Sequence, residues 1–197
     1  AWHARGHRFD SVILHLKIQR QRKLPFLVFI RMSDSAKGTI FGKIEGQLQE
    51  KGFNIDKQDQ TRPWGGFFVI DENQAQLFAD SYFDSMPVNE LKISGKLSPK
   101  ILVVAPGKRL SWQYHHRRAE ICTVLEGEVG VVTSETDEEG ELKKYVPGDV
   151  IRLKQGERHR LVGLETWGIL AEIWQHTDAA LPSDEEDIVR VQDDFGR

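Results

Sequence analysis

The residues of this sequence best suited to chemistry lie in two short segments that combine histidine, glutamate and glycine. The first segment contains Gln113, His115 and Glu120, and the second segment ends on His159. Side chains alternate between the two faces of a strand, so Gln113 and His115 are expected to project to the same side. A turn at Arg117 would return the chain and place Glu120 beside them, and a glycine turn would deliver His159 at the start of a further strand.

Two imidazoles, one carboxylate and one amide oxygen form a mixed nitrogen and oxygen set that suits a divalent metal ion. Zn²⁺ is the expected ion, with Co²⁺, Ni²⁺, Mn²⁺ and Fe²⁺ as alternatives, and one or two positions would stay open for water or substrate. Taken singly, each of these residues is more simply a structural or surface side chain. Their joint spacing predicts a metal site with the ligands Gln113, His115, Glu120 and His159.

Short strands separated by turns must position these residues. Hydrophobic residues recur every four positions in 37–51, which predicts an amphipathic helix ended by Gly52, and 73–83 is predicted as a second helix. After residue 90 the pattern changes to β-rich runs divided by turn residues, which is typical of an antiparallel sandwich or barrel. The predicted strands are 100–105, 110–116, 120–125, 129–134, 142–146, 150–154, 159–162, 167–174 and 188–191.

The spacing of the ligand candidates resembles the two motifs of the cupin superfamily. The first motif, Gly-x5-His-x-His-x4-Glu-x6-Gly, is matched with Gln in place of the first His by Gly107, Gln113, His115, Glu120 and Gly127. The second motif is matched in part by Gly148, Gly156 and His159. This resemblance implies an all-β fold, the cupin double-stranded β-helix or jelly-roll barrel, with one or two N-terminal helices.

Three segments together resemble the isomerase domain of the type II mannose-6-phosphate isomerases. They are Arg-Pro-Trp-Gly at 62–65, the run 106–120 with its Leu-Ser-Trp-Gln-Tyr-His-His-Arg-Arg-Ala-Glu core, and the closing segment 187–197. The resemblance covers roughly residues 60–197 and leaves out the guanylyltransferase that precedes the cupin in many of these proteins. It implies a metal-dependent aldose–ketose isomerase that converts mannose 6-phosphate to fructose 6-phosphate through an enediol.

An enediol mechanism needs a Lewis acid, a base that moves the proton, and cations that hold the phosphate. Among the candidate cations, Arg118 is the best placed to hold the phosphate, because it is expected to lie on the same face of the strand as Glu120. We assign catalytic roles to Arg118, Lys108 and Glu172, and substrate binding to Lys100 and Arg190. For each cation the alternative is a solvated or ion-paired surface charge. For Glu172, which lies in an apolar strand, the simpler alternative is a buried salt bridge.

Two other function classes stay open. One is a non-catalytic cupin that binds metal or a sugar phosphate, and the other, less favoured, is a cupin dioxygenase that activates O₂ at Fe²⁺. Basic residues near the site favour a phosphorylated sugar over the apolar substrate of an oxygenase. Outside the site, we interpret the acidic run 184–187 as a solvated loop and His176 as a loop histidine.

Composition narrows the class of protein. The 197 residues are 39% hydrophobic with a formal net charge of −3, which indicates one globular domain and excludes nucleic-acid binding by general basicity. The apolar run 26–30 is too short to span a membrane. The single cysteine, Cys122, excludes an intrachain disulfide and is typical of a reducing compartment. We predict a cytoplasmic protein that takes a small sugar phosphate, has no nucleic-acid or membrane partner, and forms a homodimer by analogy with other cupins.

Charge is distributed unevenly along the chain. Residues 1–31 hold seven Lys or Arg residues against one Asp and show no clear helical or strand period. A signal peptide is an alternative interpretation of this segment, but its apolar run is short and no small-residue cleavage site follows. We predict that 1–31 is an N-terminal extension outside the native domain, with an ordered arm as the alternative. Residues 32–197 are predicted to form a single cupin domain with a helical lead-in.

Overall fold

Two antiparallel sheets account for most of the fold. The computed structural model describes residues 26–83, 86 and 88–196. Within them the strands are β1 (Ile55–Asp59), β2 (Gly65–Ile70), β3 (Lys100–Val104), β4 (Trp112–Tyr114), β5 (Arg118–Glu126), β6 (Val129–Ser134), β7 (Leu142–Tyr145), β8 (Val150–Leu153), β9 (Arg158–Gly163), β10 (Gly168–His176) and β11 (Val189–Gln192). One sheet has the strand order β1-β2-β3-β10-β5-β8, and the other has the order β11-β4-β9-β6-β7. The predicted all-β fold is confirmed, because these strands pair in antiparallel fashion throughout.

Each strand predicted after residue 90 is present, whereas β1 and β2 were not predicted. Strand β1 is polar and largely exposed, so its sequence lacks the alternation of a half-buried strand. Strand β2 begins with two glycines, which weaken the strand pattern. The fold requires the second of them, since a Cβ atom at Gly66 would lie 2.1 Å from the carbonyl oxygen of Asp59.

The helical lead-in is present and longer than predicted. Helix α1 (Phe26–Glu50) begins well before residue 37 and ends before Gly52, whose φ of +81° suits a residue without a side chain. On this helix Ile44 and Leu48 are buried as the period predicts. Residues 1–25 of the predicted extension lie outside the described residues, and 26–31 belong to α1.

The second predicted helix is also present. It consists of a 3₁₀ turn, Glu72–Gln74, followed by helix α2 (Ala75–Tyr82). A short helix that was not predicted, α3 (Val88–Leu91), comes before β3. Over the described residues, none of the helices combines the length and the apolar character needed to span a membrane.

The six-stranded sheet packs differently on its two faces. On the outer face, Ile169, Ala171 and Ile173 of β10 share a hydrophobic core with residues of α1 and α2. On the inner face, Leu170 of the same strand packs with Val131 of β6 from the other sheet. The space between the sheets is therefore the interior of the barrel, and inward-facing residues of β3, β5 and β10 line it.

Candidate metal centre

Three strands bring the predicted ligands together. Gln113 lies in β4, Glu120 in β5 and His159 in β9, and His115 directly follows β4. The strand register pairs Gln113 with His159. The ligand atoms of His115, Glu120 and His159 all lie within 4.8 Å of one another, and each of these residues is buried. The structure thus joins side chains that are far apart along the chain in one buried cluster.

Hydrogen bonds orient both imidazoles so that Nε2 faces Glu120. Nδ1 of His115 lies 2.5 Å from the carbonyl oxygen of Asp187, and Nδ1 of His159 lies 3.0 Å from that of Glu157. Because a carbonyl oxygen only accepts, each Nδ1 is the donor, and Nε2 of the neutral ring presents its lone pair. The two Nε2 atoms lie 3.2 Å and 3.4 Å from the carboxylate oxygens of Glu120.

The cluster fits a divalent metal ion. Two ligand atoms bound at about 2.1 Å are separated by roughly 3.0 to 3.4 Å in octahedral or tetrahedral arrangements. The nitrogen–oxygen separations of 3.2 Å and 3.4 Å at Glu120 fall in that range. In addition, the buried Nε2 atom of His159 has no hydrogen-bond partner among the described residues. A cation bound here would satisfy a lone pair whose burial is otherwise unfavourable.

Gln113 reaches the cluster with its amide nitrogen. Its Nε2 lies 3.5 Å from Nε2 of His115, while its Oε1 accepts a hydrogen bond from Oγ of Ser111 at 2.5 Å. Rotation of the amide group by half a turn would exchange these atoms and direct the oxygen toward the imidazole. Gln113 is thus placed beside the three other predicted ligands, but its amide oxygen is not turned toward them.

Arg118 holds Glu120 from the same strand. Its Nε donates to Oε1 of Glu120 at 2.8 Å, and a terminal nitrogen lies 3.1 Å from Nε2 of His115. The guanidinium group also donates to Oγ of Ser183 at 2.9 Å and lies 3.6 Å from the ring centroid of Trp174. Protein groups therefore engage Arg118, which supports a role in positioning the carboxylate more than in gripping a phosphate.

The electrostatic environment prepares the cluster for a cation. Burial alone would raise the pKa of Glu120, but His115, Arg118 and His159 hold it well below its usual value. Burial lowers the pKa of His115 to about 4 against the opposing charge of Glu120. Burial would also lower the pKa of His159, but the contact with Glu120 outweighs it and raises that pKa. Near neutral pH, Glu120 is ionised and His115 is neutral, as metal ligands must be.

A cavity opens beside the cluster. Its basic lining residues are Arg62, Lys100, Arg118 and Arg190, and its acidic ones are Glu120, Glu172 and Glu185. Its other polar and aromatic lining residues are Ser111, Gln113, Trp64, Phe67 and Trp174. A concave site with converging charged groups and aromatic walls suits a small polar molecule that carries negative charge.

Glu172 is the carboxylate of this cavity best suited to move a proton. It is buried in β10, and Nε1 of Trp174 donates to its Oε2 at 3.1 Å. Burial and the charge of Glu120 raise its pKa to about 7, although the charge of Lys100 opposes them. A carboxyl group with this pKa accepts and releases a proton near neutral pH. The ion pair of Lys100 is made with Glu185, which gives the simpler salt-bridge alternative less support.

The other predicted site residues divide into two groups. Lys100 and Arg190, predicted to bind substrate, both line the cavity. Lys108, predicted to be catalytic, is exposed at the turn after β3 and is not one of the residues that line the cavity. Because a catalytic group must reach the reacting atoms, we do not retain a catalytic role for Lys108.

The segment that contains the metal-ligand cluster matches a protein family of known fold. Residues 100–166 match the protein family described as Cupin domain. This segment is similar to a cupin domain. It contains the four predicted ligands and runs from β3 to β9, which confirms the predicted cupin barrel. No curated protein sequence matches the chain.

Several solved structures are similar to this chain over part of their length. Peruvianin-I, a cysteine peptidase from Thevetia peruviana latex, is 19% identical over 49% of this chain and 56% of that chain, with a TM-score of 0.40. A Cupin 2 conserved barrel domain protein from Salinispora arenicola is 27% identical over 45% of this chain and 68% of that chain, with a TM-score of 0.37. The capsular polysaccharide assembling protein CapF from Staphylococcus aureus is 16% identical over 71% of this chain and 34% of that chain, with a TM-score of 0.45. The chain therefore spans about half the length of Peruvianin-I, and the cupin assignment rests on the family match and the strand topology.

Asp187 is a residue of the candidate metal centre that the sequence interpretation missed. The interpretation of 184–187 as a solvated loop is wrong for Asp187, which is buried. Its carbonyl oxygen accepts from His115, and its carboxylate accepts from the backbone N–H groups of His116 and Arg117, each at 3.0 Å. Asp187 therefore connects the C-terminal part of the chain to the turn between β4 and β5 and orients a candidate ligand.

His176 is also part of this framework. The interpretation as a loop histidine is wrong, because His176 ends β10 and is fully buried. Its Nδ1 accepts from the backbone N–H of Ser183 at 3.0 Å, and Oγ of Ser183 donates to Asp187 at 2.6 Å. Burial lowers the pKa of His176 to about 4, which keeps the ring neutral and able to accept. These bonds hold the 177–188 segment on the barrel.

Proposed function

We propose that this cupin is a metal-dependent aldose–ketose isomerase that acts on a sugar phosphate, with mannose 6-phosphate and fructose 6-phosphate as the pair it interconverts. One observation supports the proposal most strongly. Gln113 and Glu120 of the metal-ligand cluster and a separate buried carboxyl group, Glu172, whose pKa is raised to about 7, line one cavity together with several cations.

The metal would be held by Gln113, His115, Glu120 and His159, with Zn²⁺ as the expected ion. When bound, it would supply Lewis acidity that polarises the carbonyl and hydroxyl oxygens at C1 and C2 of the sugar. The protein contributes ligand orientation. Asp187 holds the ring of His115, and Arg118 holds the carboxylate of Glu120.

Glu172 is proposed to move the proton. In the direction of fructose 6-phosphate, its carboxylate would accept the proton from C2 and return it to C1, while the proton of the C2 hydroxyl passes to the oxygen at C1, so that the reaction balances within the sugar. The pKa of about 7 suits both steps, because the same group acts as base and then as acid. The hydrogen bond from Trp174 fixes one carboxylate oxygen, which keeps the group in position during the transfer.

Lys100 and Arg190 are proposed to bind the phosphate group. Both line the cavity, and Lys100 is buried with its ammonium group 3.6 Å from the ring centroid of Trp174. Trp64 and Phe67 form part of the wall of the cavity.

A coupled isomerase assay tests this function. The metal-loaded protein is expected to convert mannose 6-phosphate to fructose 6-phosphate, to lose turnover in a chelator and to regain it with a divalent ion. A panel of other aldose phosphates ranks the substrates, and unphosphorylated mannose is the control. Absence of turnover with full metal occupancy would overturn the proposal. Phosphate binding alone would then favour a non-catalytic binding cupin, and O₂ uptake with Fe²⁺ would favour a dioxygenase.

A homodimer and a cytoplasmic location are further proposals, made by analogy with other cupins and from the single cysteine. Light scattering on the purified protein distinguishes a dimer of this 22.6 kDa chain from a monomer.

A further inference from the structure

We propose that the carboxylate of Glu185 occupies the subsite for the anionic group of the ligand, and that a phosphate group displaces it from Lys100. The inference rests on the proposed function for the identity of the ligand, whereas the internal competitor is a feature of this chain. The Glu185 side chain would then set how tightly the cavity binds a phosphorylated molecule.

Lys100 is a buried cation that needs an anion. Only 6% of its side chain is exposed, and Nζ lies 3.6 Å from the ring centroid of Trp174 and 5.5 Å from that of Phe67. Aromatic faces stabilise an ammonium group but do not neutralise it. The ion pair that the structure gives Lys100 is with Glu185. Any ligand that uses Lys100 must therefore compete with that carboxylate.

Glu185 is held much less firmly than Lys100. Its side chain is 57% exposed, so water solvates it whether or not it contacts the ammonium group. The exposed carboxylate gains little from the ion pair, because water replaces the contact when the carboxylate moves away. Release of Glu185 is consequently easy, while a phosphate dianion brings more charge and more acceptor atoms to the same cation.

The backbone that carries Glu185 is anchored on both sides. Ser183 and Asp187 are buried and bonded to each other and to Arg118 or the β4–β5 turn. Between them, Glu185 and Glu186 are exposed. A rotation of the Glu185 side chain therefore opens the subsite without displacing the segment that orients His115.

The other carboxylates of the cavity are not suited to this role. Glu120 is bonded to Arg118, and Glu172 accepts from Trp174. Both are buried within strands, so neither can leave the cavity. Glu185 is the acidic lining residue that combines exposure with a direct contact to a buried cation.

Calorimetric titration of the folded, metal-loaded protein with inorganic phosphate tests the inference. The Glu185→Gln variant is expected to bind phosphate about two- to five-fold more tightly than the original protein, because a weak competing ion pair with an exposed carboxylate is removed. Lys100→Met is expected to weaken binding about ten-fold or more, because a charge-assisted contact is lost. Glu186→Gln, which makes the same charge change at the next residue, is expected to leave the affinity unchanged.

Three results would overturn the inference. They are unchanged or weaker phosphate binding by Glu185→Gln, an equal gain in Glu186→Gln, and phosphate binding by Lys100→Met at the original affinity. If Lys100→Met does not fold, Lys100→Gln replaces it, and the two glutamate variants decide by themselves.

The same titration with mannose 6-phosphate and with mannose separates this inference from the proposed function. If Glu185→Gln binds inorganic phosphate and mannose 6-phosphate more tightly but binds mannose unchanged, the subsite recognises the phosphate group. If that pattern is seen without isomerase turnover, the subsite stands and the proposed function fails. If turnover is present and Glu185→Gln has no effect on binding, the function stands and the inference fails.

Discussion

The two faces of strand β10 differ in what they do. Ile169, Ala171 and Ile173 point to the helices and belong to a wholly hydrophobic core, while Glu172 and Trp174 point into the barrel and line the cavity. Because side chains alternate along a strand, neighbouring residues serve stability and chemistry separately. Changes on the outer face should therefore affect folding, and changes on the inner face should affect ligands.

Charged side chains are buried on the inner face, which costs free energy that the apolar outer face does not incur. Several charged residues are buried there, among them Lys100, Arg118, Glu120 and Glu172. Burial of charge is unfavourable unless partners compensate it, and here Arg118 with Glu120 and Lys100 with Glu185 do so. Such an arrangement is expected where the charges are needed for binding, since apolar residues would stabilise the barrel at least as well.

The largest expected effect is loss of the metal on the inner face. His159→Ala and His115→Ala should each reduce bound metal well below stoichiometric and abolish turnover, because each removes one imidazole ligand. Metal content of the purified variants, measured by mass spectrometry, checks this. Ile173→Val on the outer face of β10 is the control and should keep full metal. Full occupancy in both histidine variants would show that the ligand assignment is wrong.

A change on the outer face should reduce the stability of the fold and leave the bound metal in place. Phe68 is fully buried and packs on Phe41 of α1 at a ring-centroid distance of 5.4 Å. Phe68→Ala is expected to lower the free energy of unfolding by about 3 to 5 kcal/mol, the usual cost of deleting a buried aromatic ring. Denaturant unfolding measures it, with the exposed Lys108→Ala as control. Loss of metal by the folded Phe68→Ala protein would contradict the separation of the two faces.

Glu172 should make the stability of the metal-free protein depend on pH. Its pKa of about 7 in the folded state lies above the ordinary glutamate value of 4.5, so the folded state binds more protons between these values. Stability is then lost as the pH rises through that window and levels off above it, at about 1.4 kcal/mol per pKa unit. Glu172→Gln should flatten this profile and be relatively more stable than the original protein near about pH 8.

Unfolding curves in denaturant across the pH range supply the measurement. The control is Glu186→Gln, which removes an exposed carboxylate from the same protein. An unchanged pH profile in Glu172→Gln would mean that this carboxyl group titrates at its ordinary value.

A smaller effect is expected where the C-terminal segment supports the inner face. Asp187→Ala removes the acceptor of the backbone N–H groups of His116 and Arg117 and should loosen the ring of His115. Loss of such a supporting contact typically weakens metal binding about 10- to 100-fold. Competition with a chelator measures the affinity. Asp187→Asn retains an acceptor oxygen and should recover part of it, and equal losses in both variants would contradict this role.

Spacing and periodicity predicted most of the barrel. The runs from 100 to 191 have clear β patterns with turn residues between them, so the strands and the joining of His115, Glu120 and His159 followed from local rules. Strand β1 was missed because an exposed edge strand of polar residues has no hydrophobic alternation. Its partner β2 is recognisable only from its neighbours in the sheet.

Tertiary contacts decide the parts of the site that the sequence left open. Lys100 and Lys108 have the same chemistry, yet one is buried in the cavity wall and the other lies on an exposed turn. Asp187 lies in an acidic run whose composition is typical of a solvated loop. Its carboxylate is held by the backbone N–H groups of His116 and Arg117, some seventy residues away in the sequence. The raised pKa of Glu172 likewise depends on burial and on Glu120 of the neighbouring strand.

Proton NMR of mannose 6-phosphate in D₂O with the metal-loaded protein tests the central claim most directly. Proton transfer through an enediol predicts formation of fructose 6-phosphate that carries deuterium from the solvent, and Glu172→Gln should slow it by about 100-fold or more. An unchanged mannose 6-phosphate spectrum at full metal occupancy would contradict the claim that the inner face of this barrel is an isomerase site.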